Sequence, residues 1–126
     1  MTSSAPTKPT PSELEMLRLL WQSGPATARQ VHQAALEARP DMNYATVLRL
    51  LQVMHTKGLL TRDESQRAHV YAPAQEQDAL QTSLIKELIH KAFSGSGKAL
   101  VLAALRGGHV SKKERAEIQA LLDQDK

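Results

Sequence analysis

Glycine and proline occur in this chain only where apolar periodicity stops. The six glycines stand at 24, 58, 95, 97, 107 and 108, and the six prolines at 6, 9, 11, 25, 40 and 73. The breaks therefore define the elements between them. Thr10-Pro11-Ser12-Glu13 is a capping box with proline at the first helical position. Leu14, Leu17, Leu20 and Trp21 follow on one helical stripe, and Gly24-Pro25 stops it. Thr27-Ala28-Arg29-Gln30 caps a second helix, whose Val31, Ala34, Ala35 and Ala38 form a small-residue stripe ending at Arg39-Pro40-Asp41. Asn43 caps a third helix from Tyr44 to about Lys57, with Val47, Leu50, Leu51 and Met54 toward a core and Gly58 as its stop.

Leu59–Arg62 and Ala68–Tyr71 read as the strands of a hairpin around a polar turn, ended by Pro73. A long helix, Gln75 to Phe93, carries Leu80, Leu84 and Leu88, with Ile85 and Ile89 offset. Gly95-Ser96-Gly97 separates it from Lys98–Arg106, which is short and almost wholly apolar. After Gly107-Gly108, Ser111-Lys112-Lys113-Glu114 is a third capping box and opens a last helix expected to bury Ile118, Leu121 and Leu122.

This order predicts a mainly α chain: a winged helix-turn-helix domain of three helices plus a β-hairpin wing, then a three-helix C-terminal dimerisation region. The expected division is a disordered tail at residues 1–9, a DNA-binding domain at 10–73 and a helical dimerisation domain at 74–126. The tail is rich in Ser, Thr and Pro and lacks the apolar stretch of a secretion signal. The longest strictly apolar run, Ala99 to Leu105, is too short to span a bilayer, so no membrane insertion is expected and a cytoplasmic location is.

The third helix is the one that would enter a major groove. No acidic residue lies between Asp41 and Asp63, while Arg49, Lys57 and Arg62 are basic. Ala45, Thr46, Arg49, Gln52 and Val53 fall away from the apolar stripe. Arg49 has the chemistry to pair with guanine, Gln52 with adenine, and the Thr46 methyl to touch thymine, and Tyr44, at the start of the helix, is a further expected DNA contact beside Ala45. Arg67, at the base of the hairpin, has the reach for a phosphate, as do the helix-start N–H groups beside Thr27. Read one at a time, these are a solvated helix face, a surface arginine and a cap. Their shared place in one fold order is what points to double-stranded DNA. The net charge of +3 permits a polyanionic partner without demanding one.

The apolar segment 99–105 has no polar face and must be covered on all sides. Three helices of one chain do not easily cover it, so a homodimer is expected, built on Leu84, Leu88, Leu100, Val101, Leu102, Leu105, Ile118, Leu121 and Leu122. Two recognition helices ~34–36 Å apart would then read an inverted repeat. The alternative is a winged-helix protein-interaction module without sequence-specific DNA binding, a use that the modest charge allows.

Catalytic and cofactor chemistry finds no foothold. The chain has no cysteine. Its histidines at 32, 55, 69, 90 and 109 include no i, i+4 pair. No phosphate-cradling loop or serine-nucleophile elbow is present. No cofactor, no metal site and no enzyme are expected.

Several stretches together resemble the penicillinase-repressor family of bacterial transcription regulators. They are Glu13-Leu14-Glu15 with Leu20-Trp21, the run Gly24 to Val31, Tyr44-Ala45-Thr46-Val47, Lys57-Gly58-Leu59-Leu60, the hairpin Arg67 to Pro73, Phe93-Ser94-Gly95-Ser96, and Ser111 onward. The resemblance covers about residues 12 to 123 and implies a homodimeric repressor on an inverted-repeat operator, controlling a resistance or stress-response operon. It places Ala45, Thr46 and Arg49 toward the bases, with Ala45 standing where family members often carry a long polar or basic residue. It also implies, by analogy with β-lactam-responsive members, a membrane sensor protease as partner and cleavage in the short apolar helix. The matching pair here is Ala103-Ala104, without the Asn-Phe character of those members. The cysteine cluster of the copper-responsive members is absent.

Overall fold

The computed structural model describes residues 8–124, so the expected tail lies outside the described residues as far as residue 7. The elements are α1 (Pro11–Ser23), β1 (Ala26–Thr27), α2 (Ala28–Leu36), α3 (Tyr44–Thr56), β2 (Leu60–Asp63), β3 (Val70–Pro73), α4 (Gln77–Ala92), α5 (Gly97–Arg106) and α6 (Lys112–Gln124). Short-range capping starts most of the helices. Thr10 Oγ1 accepts from Glu13 N–H and Glu13 Oε1 accepts from Thr10 N–H, closing the first box. Thr27 with Gln30, and Ser111 with Glu114, do the same for α2 and α6. Asn43 Oδ1 accepts from Thr46 N–H at 2.8 Å and starts α3. Each bond satisfies an N–H that the helix leaves orphaned.

The antiparallel sheet has the order β1-β3-β2. Its hairpin pairs Leu60 with Pro73 and Asp63 with Val70. The expected strands, 59–62 and 68–71, thus sit one to two residues further along the chain. Burial of Leu60 and Tyr71 sets this register, because slipping by one residue would turn both side chains outward. The sequence reading missed β1, in which Ala26 pairs with Tyr71 and Thr27 with Val70. Two residues are too few to show any periodicity.

Around this sheet α1, α2 and α3 pack a core of Met16, Leu17, Leu20, Val31, Ala35, Val47, Leu51, Met54, Leu59, Leu60 and Tyr71. Val47, Leu51 and Met54 have no solvent exposure at all. The expected stripes are therefore real but narrower: Leu14, Trp21 and Leu50 are half-buried, and Ala38 lies exposed beyond the end of α2. The Trp21 indole instead donates from Nε1 to Gln75 O at 3.1 Å.

The chain divides into two compact units, one up to Gln81 and one from Thr82. The second unit contains the rest of α4 with α5 and α6, and neither α5 nor α6 has a buried residue. Ile118, Leu121 and Leu122, expected to be buried from α6, are 40%, 64% and 59% exposed in the single chain. So small a helical unit has too little partner surface to cover its own apolar stripes.

Candidate nucleic-acid interface

The surface of interest is built from the start of α2, the exposed side of α3 and the turn between β2 and β3. The connection from α2 to α3 is held from inside. Met42 is buried, its N–H bonds to Arg39 O at 3.0 Å, and its carbonyl lies 2.9 Å from His32 Nε2. This fixes the angle at which α3 leaves α2.

Ala45, Thr46, Arg49, Gln52 and Val53 are all exposed, opposite the buried Val47, Leu51 and Met54. A 3.6-residue period puts Arg49 at the centre of that face. Beside it, a cleft of about 330 Å³ brings together Thr27, Tyr44, Gln52 and Arg67, with Arg29 and His69 added to its lining. Four of the seven expected contact residues thus share one cleft, while Ala45, Thr46 and Arg49 stand outside it on the open face of α3. Sequence reasoning missed Arg29 and His69. Arg29 reads as an ordinary helix-surface residue until its neighbours in space are known.

The charge pattern differs from the sequence expectation in one respect. Of the three cations between Asp41 and Asp63, two are used internally. Lys57 Nζ reaches Glu13 Oε2 at 2.8 Å and Oε1 at 3.0 Å. Arg62 pairs with Glu64 at 2.6 Å and also meets the side chain of Tyr71. Arg49, together with Arg29 and Arg67, is bound to no carboxylate among the described residues. The positive character of the surface therefore rests on arginines 29, 49 and 67.

The carboxylates nearby are held ionised. Burial pushes the Glu13 carboxyl up, but hydrogen bonds from Lys57 and the Thr10 N–H, with the lysine charge, outweigh it and hold Glu13 below its usual range. Asp63 is held low by Ser65, whose N–H donates to Asp63 Oδ1 at 2.9 Å, and Glu64 by Arg62. Asp63 ends β2 and Glu64 opens the turn that carries Arg67, so the acids there are engaged locally. Among the described residues no group of three His, Asp or Glu is placed to hold a metal ion, and no helix is long and apolar enough to cross a membrane.

Three helices, the second and third joined by a short connection, with a three-stranded sheet that contains the β2–β3 hairpin, make the first unit a winged helix-turn-helix. Residues 9–124 match the penicillinase repressor family, and the chain belongs to that family. It is 40% identical over 85 residues to the transcriptional regulator BlaI of Mycobacterium tuberculosis, a match covering 66% of this chain and 61% of that protein. The chain thus aligns with less than two thirds of that regulator's length. The penicillinase repressor of Staphylococcus aureus is 19% identical over 112 residues, covering 89% of this chain and 88% of that one. A solved structure of ZitR from Lactococcus lactis is 15% identical and covers 98% of this chain and 77% of its own, with a TM-score of 0.46.

Proposed function

We propose that the chain is a dimeric, sequence-specific DNA-binding transcriptional repressor acting on an inverted-repeat operator in the cytoplasm. The observation that carries this reading is the exposed face of α3, which has no acidic residue and centres on an unpaired Arg49, flanked by a cleft holding Arg29 and Arg67. Family membership supports it, and so does the similarity to a transcriptional regulator and to a penicillinase repressor. In this reading Arg49 pairs with guanine, Gln52 with adenine, and the Thr46 methyl and the small Ala45 meet thymine. Tyr44 stands at the helix start beside them. The α2 N–H groups next to Thr27, and Arg67 from the turn, bind phosphates and set the register.

Residues 10–73 serve DNA and 74–126 the dimer. The apolar side chains that the second unit leaves exposed support a second copy as their cover: Leu88, Val101, Ile118, Leu121 and Leu122 are open, while Leu84, Leu100, Leu102 and Leu105 are half-buried. The chain performs no catalysis and needs no cofactor in this role. By family analogy its induction passes through a sensor protease acting at Ala103-Ala104, and its target is a resistance or stress-response operon.

Fluorescence anisotropy tests the reading. Duplex DNA from upstream of the chain's own gene is titrated at two salt concentrations against an unrelated duplex of equal length. Tight promoter binding, much weaker control binding and a steep salt slope are expected. Weak, salt-insensitive binding to both duplexes, with no preferred fragment in a genome-wide selection, would overturn it.

A further inference from the structure

We propose that Arg29 is a phosphate contact of the interface and that Tyr44 is its positioning residue, not a reader of bases. The inference rests on the DNA-binding reading above and extends it to a residue that the sequence did not single out. Arg29 is the second residue of α2 and is exposed. Its guanidinium carbon stands 5.6 Å from the centroid of the Tyr44 ring. The same ring meets His32 edge-on, with centroids 6.0 Å apart and planes at 72°. His32 is in turn anchored by Nε2 to the Met42 carbonyl at 2.9 Å.

A line of contacts therefore runs from the buried turn, through His32 and Tyr44, to the guanidinium. Its chemistry favours an anion. A guanidinium over an aromatic face gains a cation–π attraction and is held in place in advance, while its N–H groups stay free to donate. No carboxylate among the described residues takes up those donors. Arg29 and Arg67 line one cleft, from α2 and from the hairpin turn. Two unpaired cations lining one open cleft suit the phosphodiester backbone of a strand laid along it. Tyr44, with Arg29 over its face and His32 at its edge, is already engaged and poorly placed to stack on or read a base.

The test uses the full chain and a random-sequence duplex, since a phosphate contact is indifferent to sequence. Affinity is measured by anisotropy across a salt series. Arg29→Gln is expected to weaken binding about tenfold and to flatten the slope of log affinity against log salt by about one unit. Tyr44→Phe keeps the ring and is expected to behave as the parent chain. Tyr44→Ala is expected to lose part of the affinity, and to lose nothing further when Arg29→Gln is already present.

An Arg29→Gln variant with the parent's affinity and slope would overturn the proposal, as would a Tyr44→Ala loss that simply adds to that of Arg29→Gln. If Arg49→Ala impairs promoter binding while Arg29→Gln does nothing, this inference falls and the repressor reading stands. If the unmodified chain shows no salt-dependent binding to any duplex, both fall.

Discussion

At the scale of single residues, Glu13 shows how a local device is put to a second use. It closes the first capping box and also takes the Lys57 ammonium at 2.8 Å, though its side chain is only 3% exposed. An ion pair with its carboxylate so nearly dry is costly to break from the lysine side or by removing the charge of Glu13, even though the Lys57 side chain keeps partial contact with water. Glu13→Gln keeps an acceptor for Thr10 N–H but removes the charge, and should lower stability by roughly 1–2 kcal/mol at pH 7, read from the urea midpoint. Because the folded state holds this carboxyl below its ordinary range, its contribution is whole above that range. It declines as pH falls below it, where the unfolded chain takes up the proton first, and is gone below the folded value. The stability gap between parent and Glu13→Gln should therefore close on acidification. A gap that widened in acid would refute this account. On the proposed DNA face, Arg49→Ala should cost ~1–3 kcal/mol on the preferred site and relax base choice at one position, as measured on a panel of single-base variants.

Elements are held in place mainly by their ends. Thr27 terminates β1 and caps α2, so it fixes both the sheet edge and the start of the helix. Thr27→Ala should destabilise the chain by about 1 kcal/mol through loss of the cap. Gly58 closes α3 with φ at +85°, and a Cβ there would meet nothing within 4 Å. Conformation, not space, requires the glycine, so Gly58→Ala should cost about 1–2 kcal/mol, again read from a denaturation midpoint. The hairpin is different in kind. Its register comes from burying Leu60 and Tyr71, contacts remote in sequence, which is why the sequence located the hairpin but misplaced its strands by a residue or two.

At the scale of the whole molecule, the two units differ in how well they bury themselves. The first has a continuous aliphatic core on three helices and a sheet, whereas α5 and α6 of the second bury no residue. Leu102→Asp would place a charge in a surface that a second copy is proposed to cover. Sedimentation should then show monomers, with DNA affinity sharply reduced. A variant that remained dimeric would move the interface elsewhere. Replacing Arg67 by Gln should weaken binding evenly across sequences and flatten the salt slope by about one unit, in contrast to the base-dependent loss at Arg49.

The caps at Thr10, Thr27, Asn43 and Ser111, the breaks at Gly24, Gly58 and Gly107, and the apolar stripe of α3 were all legible in the sequence. Each depends on residues within about four positions of one another, and spacing at that range carries the physics directly. Element order, and with it the winged-helix class and the exposed set at 45, 46, 49 and 52, followed from those local rules. Tertiary structure decided the rest. Lys57 is spent on Glu13, 44 positions away. Arg62 is spent on Glu64 and Tyr71, leaving Arg49 as the arginine or lysine of that stretch with no carboxylate partner among the described residues. Tyr44 stands between His32 and Arg29, on a ring that sequence alone would assign to DNA. Whether a charge is free or already engaged depends on what the fold brings beside it, and no local pattern encodes that.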